Sequence, residues 1–180
     1  MNSIVLKNYL LLSDKEHVEL LSIRNSQEVR KNSLSEEEID LQSHLSWVKK
    51  LDSDTTKLYF AVVLDGKIFG GVNLFDMNSN MRWGIFLSLE TPMLIKSLVP
   101  FYFIDYVFAR KLGTALFADI KKENSNAISY NQHLGFQIIE EKADTVVVKL
   151  NNKAYSQAKE GKILKRIIKK MDLYSFEIKG

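Results

Sequence analysis

The chain has 180 residues, of which 46% are hydrophobic, and a formal net charge of +3. This length and composition are typical of a globular protein, so we expect one domain over residues 1–180. The absence of cysteine excludes disulfides, thiolate metal sites and a cysteine nucleophile. No signal peptide and no apolar run long enough to cross a bilayer is evident, which predicts a cytoplasmic protein without a membrane partner.

The first part of the chain predicts one strand followed by two helices. Residues 4–12 mix apolar and β-prone side chains and indicate a strand. Ser13 and Glu16 then have the spacing of a capping box, which predicts the start of the first helix. Ser35 and Glu38 repeat this spacing, and we expect the second helix to begin there.

A three-stranded meander should follow. Residues 57–64, 67–75 and 82–89 are rich in apolar and aromatic side chains, and Asp65-Gly66 between the first two is a strong tight-turn signal. The remaining pattern predicts a long apolar helix over 101–112, a strand over 114–120, a helix over 125–134, a hairpin over 136–141 and 145–150, and a terminal helix over 154–171.

This element order predicts an α+β fold with one central, mixed but mostly antiparallel sheet flanked by helices. Residues 151–180 form a C-terminal extension, which we interpret as an amphipathic basic helix. From residue 153 onward there are eight lysines and arginines against three acidic residues. No aromatic residues are interleaved on the basic face, so a solvated helix surface is favoured over a nucleic-acid partner.

One short motif connects this order to a known family. The stretch Asn124–Phe136, NSNAISYNQHLGF, contains an Asn that can cap a short helix and a Gly-Phe that can end it. It resembles the acyl-CoA-binding end of the GCN5-related N-acetyltransferases, in which an Asn, an Ala, a Tyr and a Gly-Phe recur at this spacing. Asn131 stands where that family has its Tyr. The element order over residues 4–150 is similar to that family as well.

The resemblance implies acetyl-CoA as co-substrate and no metal. The family holds the cofactor's pyrophosphate with a glycine-rich loop before the long helix. The matching segment, 92–99, reads PMLIKSLV and contains no glycine, so side chains and the helix start would have to replace it. The cofactor-binding residues implied are Phe86, Leu87, Ile95, Lys96, Ser97, Asn124, Asn126, Tyr130 and Asn131.

Two residues are candidates for the chemistry. Asp119, at the end of a predicted strand, could take the proton of the acceptor amine, although a solvent-facing carboxylate is an equally good interpretation. Asn131 cannot give up a proton as the family's Tyr does, but its amide can donate a hydrogen bond to the departing sulfur.

The N-terminal half resembles one branch of the family, the acetyltransferases that modify a UDP-linked 4-amino sugar on the way to pseudaminic acid and flagellin glycosylation. Arg24-Asn25, the His44–Trp47 segment and Tyr59-Phe60 carry this resemblance. It implies Arg24 and His44 as ligands of the nucleotide sugar, with Trp47 and Trp83 beside them. The alternatives are that Arg24 caps a helix, that His44 only packs, and that Trp83 and Phe86 are core residues.

We therefore predict an enzyme, an acetyl-CoA-dependent N-acetyltransferase whose acceptor is the 4-amino group of a nucleotide-linked sugar. The amine would attack the thioester directly in a ternary complex. Two alternatives remain open: an acceptor that is a protein N-terminus or Lys, and a non-catalytic binding protein of the same fold. A homodimer is compatible with the sequence but is not required by it.

Overall fold

The computed structural model describes residues 2–180, in which a mixed eight-stranded sheet carries helices on both faces. The strands are β1 (Asn2–Asn8), β2 (Leu58–Leu64), β3 (Lys67–Phe75), β4 (Arg82–Leu87), β5 (Ala115–Lys121), β6 (Gln137–Glu141), β7 (Thr145–Asn151) and β8 (Tyr174–Lys179). The helices are α1 (Asp14–Arg24), α2 (Gln27–Asn32), α3 (Leu41–Leu51), α4 (Met93–Ala109), α5 (Ser125–His133), α6 (Asn152–Lys159) and α7 (Lys162–Met171).

The strand order is β6-β7-β5-β4-β3-β2-β1-β8. Only β4–β5 and β1–β8 are parallel neighbours, so the predicted mixed and mostly antiparallel α+β sheet is confirmed. The main core packs α4 and the C-terminal helices against one face. A second, smaller core lies under α1 and α3 on the other face.

The two parallel central strands barely touch. β4 and β5 share a single register pair, Arg82 with Phe117, whereas β5 and β7 share seven. Beyond that pair the two strands are not joined by ladder hydrogen bonds. The sheet is therefore open between β4 and β5 toward their carboxyl ends.

The predicted start of α1 is confirmed, and that of α3 is wrong. Ser13 accepts from the Glu16 backbone N–H, and the Glu16 side chain accepts from the Ser13 N–H, as a capping box requires. Residues 35–40 are not helical, and Asp40 caps α3 instead by accepting from the Ser43 N–H at 2.9 Å. A short helix that the sequence analysis missed, α2, lies between α1 and α3.

The long apolar helix begins eight residues earlier than predicted. α4 starts at Met93, so the segment 92–99 forms its N-terminal turns and Pro100 lies inside it. An internal proline costs a helix about 3 kcal/mol. Nine of the 17 residues of α4 are buried, and each buried large apolar side chain contributes about 1.5–3 kcal/mol. Burial therefore outweighs the proline, and the real β4–α4 connection is residues 88–92.

The predicted single C-terminal helix is also wrong. Gly161 separates α6 from α7, and a further strand, β8, pairs in parallel with β1. Tyr174, Phe176 and Ile178 alternate with polar residues and pack against the main core, a pattern that could have predicted this strand. Because the extension shares the main core, this packing supports the proposal of one domain.

We expect the true cap of α3 to matter for stability and the predicted one to be neutral. Asp40→Ala should lower the free energy of unfolding by about 1 kcal/mol, because the Ser43 N–H loses its acceptor. The matched control, Ser35→Ala, should change it by less than about 0.5 kcal/mol. Urea unfolding measures both values, and equal losses would contradict the assignment of Asp40 as the cap.

Candidate active site

A cavity of about 530 Å³ lies between α1, α3 and the face of β2–β4 that carries the smaller core. Three residues predicted to bind the substrate, Arg24, His44 and Trp47, line it together with Phe86, which was predicted to bind the cofactor. Its lining residues are Tyr9, Leu20, Leu21, Arg24, Ile39, Ser43, His44, Trp47, Tyr59, Asn73 and Phe86.

Aromatic rings form much of the cavity wall. Trp47 and Tyr59 meet edge to face with ring centroids 4.7 Å apart, and Tyr9 lies 5.6 Å from Tyr59. Gly71 makes this arrangement possible, because a Cβ there would lie 2.5 Å from the Tyr9 hydroxyl and 2.9 Å from the Phe86 ring. The sequence analysis did not assign Tyr9 or Tyr59 to the site, since each needs the tertiary fold to bring it beside α3.

Arg24, the last residue of α1, brings a positive charge to the cavity. Its Nη2 donates to the Ser35 carbonyl at 3.3 Å, whereas its Nη1 is buried and has no hydrogen-bond partner among residues 2–180. Burial lowers the pKa of Arg24, yet a guanidinium stays protonated in proteins. The side chain therefore offers an unused charged donor to an anionic ligand.

The neighbouring residue, Asn25, fixes one segment of the cavity wall. The Asn25 side chain donates to the Ile39 carbonyl at 2.8 Å and accepts from the Ile39 N–H at 3.0 Å. Two hydrogen bonds thus hold Ile39, a lining residue, against the end of α1. The Arg24-Asn25 pair that the sequence analysis singled out therefore combines a charged donor with a structural clamp.

His44 is buried in the cavity wall beside a second histidine. His44 is 6% exposed and His17 is 5% exposed, and His44 Nε2 lies 3.0 Å from His17 Nδ1. Burial and the neighbouring His17 lower the pKa of His44 to about 4, and burial also lowers the pKa of His17. Both rings are therefore neutral at physiological pH. No role for His17 was predicted from the sequence.

Asp119, the predicted base, is held by two cations. Arg82 donates to its Oδ2, and Lys142 lies 3.5 Å from its Oδ1. Asp119 is not one of the cavity-lining residues. These contacts tie the start of β4 and the β6–β7 turn to β5, which is a structural role. The assignment of Asp119 as base stays a prediction.

The predicted cofactor residues of α4 do not all face outward. Ile95 is completely buried in the main core, so its side chain cannot contact a cofactor. Lys96 Nζ donates to the Leu89 carbonyl, and Ser97 Oγ donates to the Met93 carbonyl. The connection 88–92 contains no glycine, but Pro92 gives α4 no side-chain cap. The first backbone N–H groups of α4 thus have no partner within the helix and can bind an anion.

Most of the polar side chains predicted to bind the cofactor at α5 already form hydrogen bonds within the protein. The Asn124 side chain caps the helix by accepting from the Ala127 N–H at 3.1 Å, and the Tyr130 hydroxyl donates to the Ser97 carbonyl at 2.9 Å. Asn131 is 6% exposed; its Nδ2 donates to the Ala127 carbonyl, and its Oδ1 is buried without a partner. Of the other implied cofactor residues, Asn126 is exposed and Leu87 packs against the main core.

Trp83 does not belong to the acceptor cavity. It is 4% exposed in the main core and stacks on Phe136 with ring centroids 5.8 Å apart. Side chains alternate along β4, so Trp83 points away from the face on which Phe86 lines the cavity. The prediction of Trp83 as a substrate ligand was wrong for this reason.

The open edge between β4 and β5 and the free N–H groups of α4 fit an extended thioester ligand with a pyrophosphate. Within residues 2–180 no group of three or more His, Asp or Glu residues could hold a metal ion. No described helix is both long and apolar enough to span a membrane.

No family model matches the chain, but its sequence and structure are similar to those of known proteins. The acetyltransferase PseH of Campylobacter jejuni is 27% identical over 142 residues, which cover 78% of this chain and 89% of the relative. The crystal structure of C. jejuni N-acetyltransferase PseH in complex with acetyl coenzyme A has a TM-score of 0.69 at 25% identity, covering 83% of this chain and 99% of that one.

A more distant structure shares the fold. Spermidine N-acetyltransferase from Vibrio cholerae, in complex with CoA and spermine, has a TM-score of 0.75 at 14% identity, covering 86% of this chain and 98% of that one. The chain is thus similar in sequence and fold to the N-acetyltransferase PseH, which confirms the resemblance that the sequence predicted.

We expect Asp119→Asn to lower stability, because Arg82 and Lys142 lose a carboxylate that is only 16% exposed. Removing one hydrogen-bonded partner of charged groups typically costs about 1–3 kcal/mol, which a urea titration measures. If Asp119 is also the base, kcat will fall by a further factor of about 10²–10⁴ after correction for the folded fraction. An unchanged kcat would remove that role and leave the structural one.

Proposed function

We propose that this protein transfers the acetyl group of acetyl-CoA to the amine of a nucleotide-linked amino sugar, by direct attack in a ternary complex. The reaction class is that of its relatives: the chain is an acetyl-CoA-dependent N-acetyltransferase, as its sequence predicted. The choice of acceptor, its place in flagellin glycosylation and the cytoplasmic setting are the parts that we propose.

One observation carries the choice of acceptor: a cavity walled by aromatic rings contains a buried, unpaired nitrogen of Arg24. Its volume of about 530 Å³ lies in the range of small-molecule pockets, which is roughly 300–1,000 Å³. Aromatic faces suit a nucleobase or a sugar ring, and a guanidinium suits a diphosphate. A ligand with all of these parts is a nucleotide sugar.

One protein that shares this fold belongs to the same acceptor class. The relative PseH is an acetyltransferase, and FdhC, described as a nucleotide-linked sugar GNAT, has a TM-score of 0.70 at 16% identity, covering 88% of this chain and 91% of that one. A groove for a peptide would have to be open along its length. Here Ile39, held by Asn25, forms one wall of a cavity of about 530 Å³, and this bounded volume favours a small acceptor over a protein N-terminus or Lys.

The start of α4 and Asn131 have different tasks in the proposed reaction. The N-terminal N–H groups of α4 would hold the pyrophosphate of the co-substrate, and Lys96 is the nearest basic side chain in that helix. Bound acetyl-CoA supplies an activated thioester. No cysteine is available for an acyl-enzyme, so the amine attacks the thioester itself. The Asn131 amide has one N–H not used by Ala127 and can stabilise the departing thiolate, which solvent then protonates.

A second candidate function is a non-catalytic binding protein of this fold. The glycine-free connection 88–92 and the Asn at the position of the family's Tyr favour it. Acetylation of an acceptor separates the two candidates, because a non-catalytic protein can bind acetyl-CoA but cannot transfer the acetyl group.

We expect calorimetry to detect binding of acetyl-CoA, and mass spectrometry to detect one added acetyl group on a UDP-linked 4-amino sugar incubated with the protein and acetyl-CoA. Spermidine and a peptide with a free N-terminus serve as competing acceptors. No binding of acetyl-CoA at millimolar concentration would contradict every enzymatic function. Binding with faster acetylation of the peptide would replace the proposed acceptor.

Arg24→Gln should raise the KM for the UDP-amino sugar about tenfold or more, because hydrogen bonds to charged groups contribute about 1.5–3 kcal/mol. The KM for acetyl-CoA should stay within twofold, since the cavity is separate from the start of α4. Arg30→Gln is the matched control: Arg30 pairs with Glu38 outside the cavity and should leave both values unchanged. Steady-state kinetics with each substrate varied in turn provide the measurement. A change in the KM for acetyl-CoA alone would contradict this placement.

A further inference from the structure

We propose that His44 and His17 form a relay that carries the proton of the acceptor amine from the cavity to the surface of α1, with His44 receiving it. The inference rests on the proposed function. An amine enters such a site mostly as an ammonium ion, which has no lone pair with which to attack. The site must therefore provide an acceptor for that proton and a route by which it leaves.

His44 is the acceptor that the cavity offers. Among the eleven residues that line it in the described structure, none is a carboxylate, and Arg24 is permanently charged. The polar groups that remain apart from His44 are neutral hydroxyls and an amide, on Tyr9, Ser43, Tyr59 and Asn73. Imidazole is the one lining group that accepts a proton near neutral pH.

His17, a residue of α1, lies behind His44. It does not line the cavity, and its Nδ1 is 3.0 Å from His44 Nε2. Asp14 precedes it by about one turn of α1 and is exposed. The negative charges of Asp14 and Glu16 act on the His17 ring. These carboxylates lie in the first turn of α1, and the proposed route to solvent runs along this end of the helix.

Either histidine can be the donor in the hydrogen bond between the two rings, depending on their tautomers. A change from one arrangement to the other moves one proton from the cavity to solvent. At the start, His44 Nε2–H donates to His17 Nδ1, and His44 Nδ1 carries a free lone pair. The ammonium gives a proton to His44 Nδ1, the Nε2 proton moves to His17 Nδ1, and His17 Nε2 releases its proton to solvent. At the end, His17 Nδ1–H donates to His44 Nε2. Protons and charge balance, and reverse exchange with solvent resets the pair when the cavity is free.

Burial explains why two rings are needed. It disfavours a charged imidazolium, so His44 alone is a weak base. A concerted relay avoids a full charge on either ring, since each receives one proton as it gives up another. The other charged and titratable groups around the pair are Lys7, which binds Glu16, and Tyr9, Arg24 and Tyr59 around the cavity.

The test replaces His17 in the full-length protein and follows acetylation of the UDP-amino sugar at saturating acetyl-CoA. His17→Gln can still hydrogen-bond to His44 but cannot exchange tautomers. We expect it to lower kcat about 100-fold at pH 7, within the usual range for proton transfer. Its rate should rise tenfold per pH unit toward the pKa of the free amine, whereas the wild-type rate should change less. His133→Gln, at an exposed histidine of α5, should behave as wild type.

A smaller variant separates the relay from mere positioning. His17→Ala leaves space for a free imidazole, which has two nitrogens and should restore much of the rate. 1-Methylimidazole fills similar space and accepts a hydrogen bond, but it has no N–H to pass on and should not restore the rate. Thermal melting checks that both variants are folded.

The outcomes are distinguishable. Wild-type kcat in His17→Gln, or equal rescue by both imidazoles, would overturn the relay and leave the proposed function intact. A wild-type protein that acetylates no UDP-amino sugar would overturn the proposed function itself. Loss of activity in His17→Ala with rescue by imidazole alone would support the relay.

Discussion

The two halves of the sheet are joined where β4 meets β5, and these strands pair over a single residue of each. The site depends on this pairing being so short. Arg82 and Phe117 are the single register pair between β4 and β5, and the Phe117 N–H donates to the Met81 carbonyl at 2.9 Å. The ion pair of Arg82 with Asp119 reinforces the same point. Because the strands are fixed at one end only, they can separate at the other. A longer ladder would close the opening that an extended ligand needs.

Successive side chains of the central strands point to opposite faces of the sheet, so each face has its own set of residues. Trp83, Ile85 and Leu87 point into the main core, whereas Phe86 packs on the side of the smaller core and the cavity. On the cavity side, two glycines leave room for polar groups. A Cβ at Gly84 would lie 2.6 Å from Asn73 Oδ1, and one at Gly71 would collide with the Tyr9 hydroxyl. Gly71 and Gly84 therefore leave the space that the polar groups of Tyr9 and Asn73 occupy.

The sequence predicted the parts of the fold that local rules determine. The Ser13–Glu16 capping box, the meander and the α5 motif need only neighbours in the chain, and they are where the pattern put them. Local rules failed where tertiary packing prevailed. Burial carried α4 through Pro100. At α3 a different local cap is used, Asp40 in place of Ser35. Arg24 and His44 were predicted from family resemblance, but the His17 contact depends on how α1 and α3 pack together.

Packing disfavours glycine in the first turn of α4. Glycine at such a site lets the backbone approach a pyrophosphate closely. Here Ile95 is fully buried and fills the main core beneath the first turn of the helix. Replacing a buried Ile by a far smaller residue typically costs about 2–5 kcal/mol, so this position cannot revert to glycine alone. Phosphate binding must then rely on the N–H groups of the helix start, which any residue except proline provides. Pro92 precedes those groups and removes none of them, which is compatible with an anion site that needs no glycine.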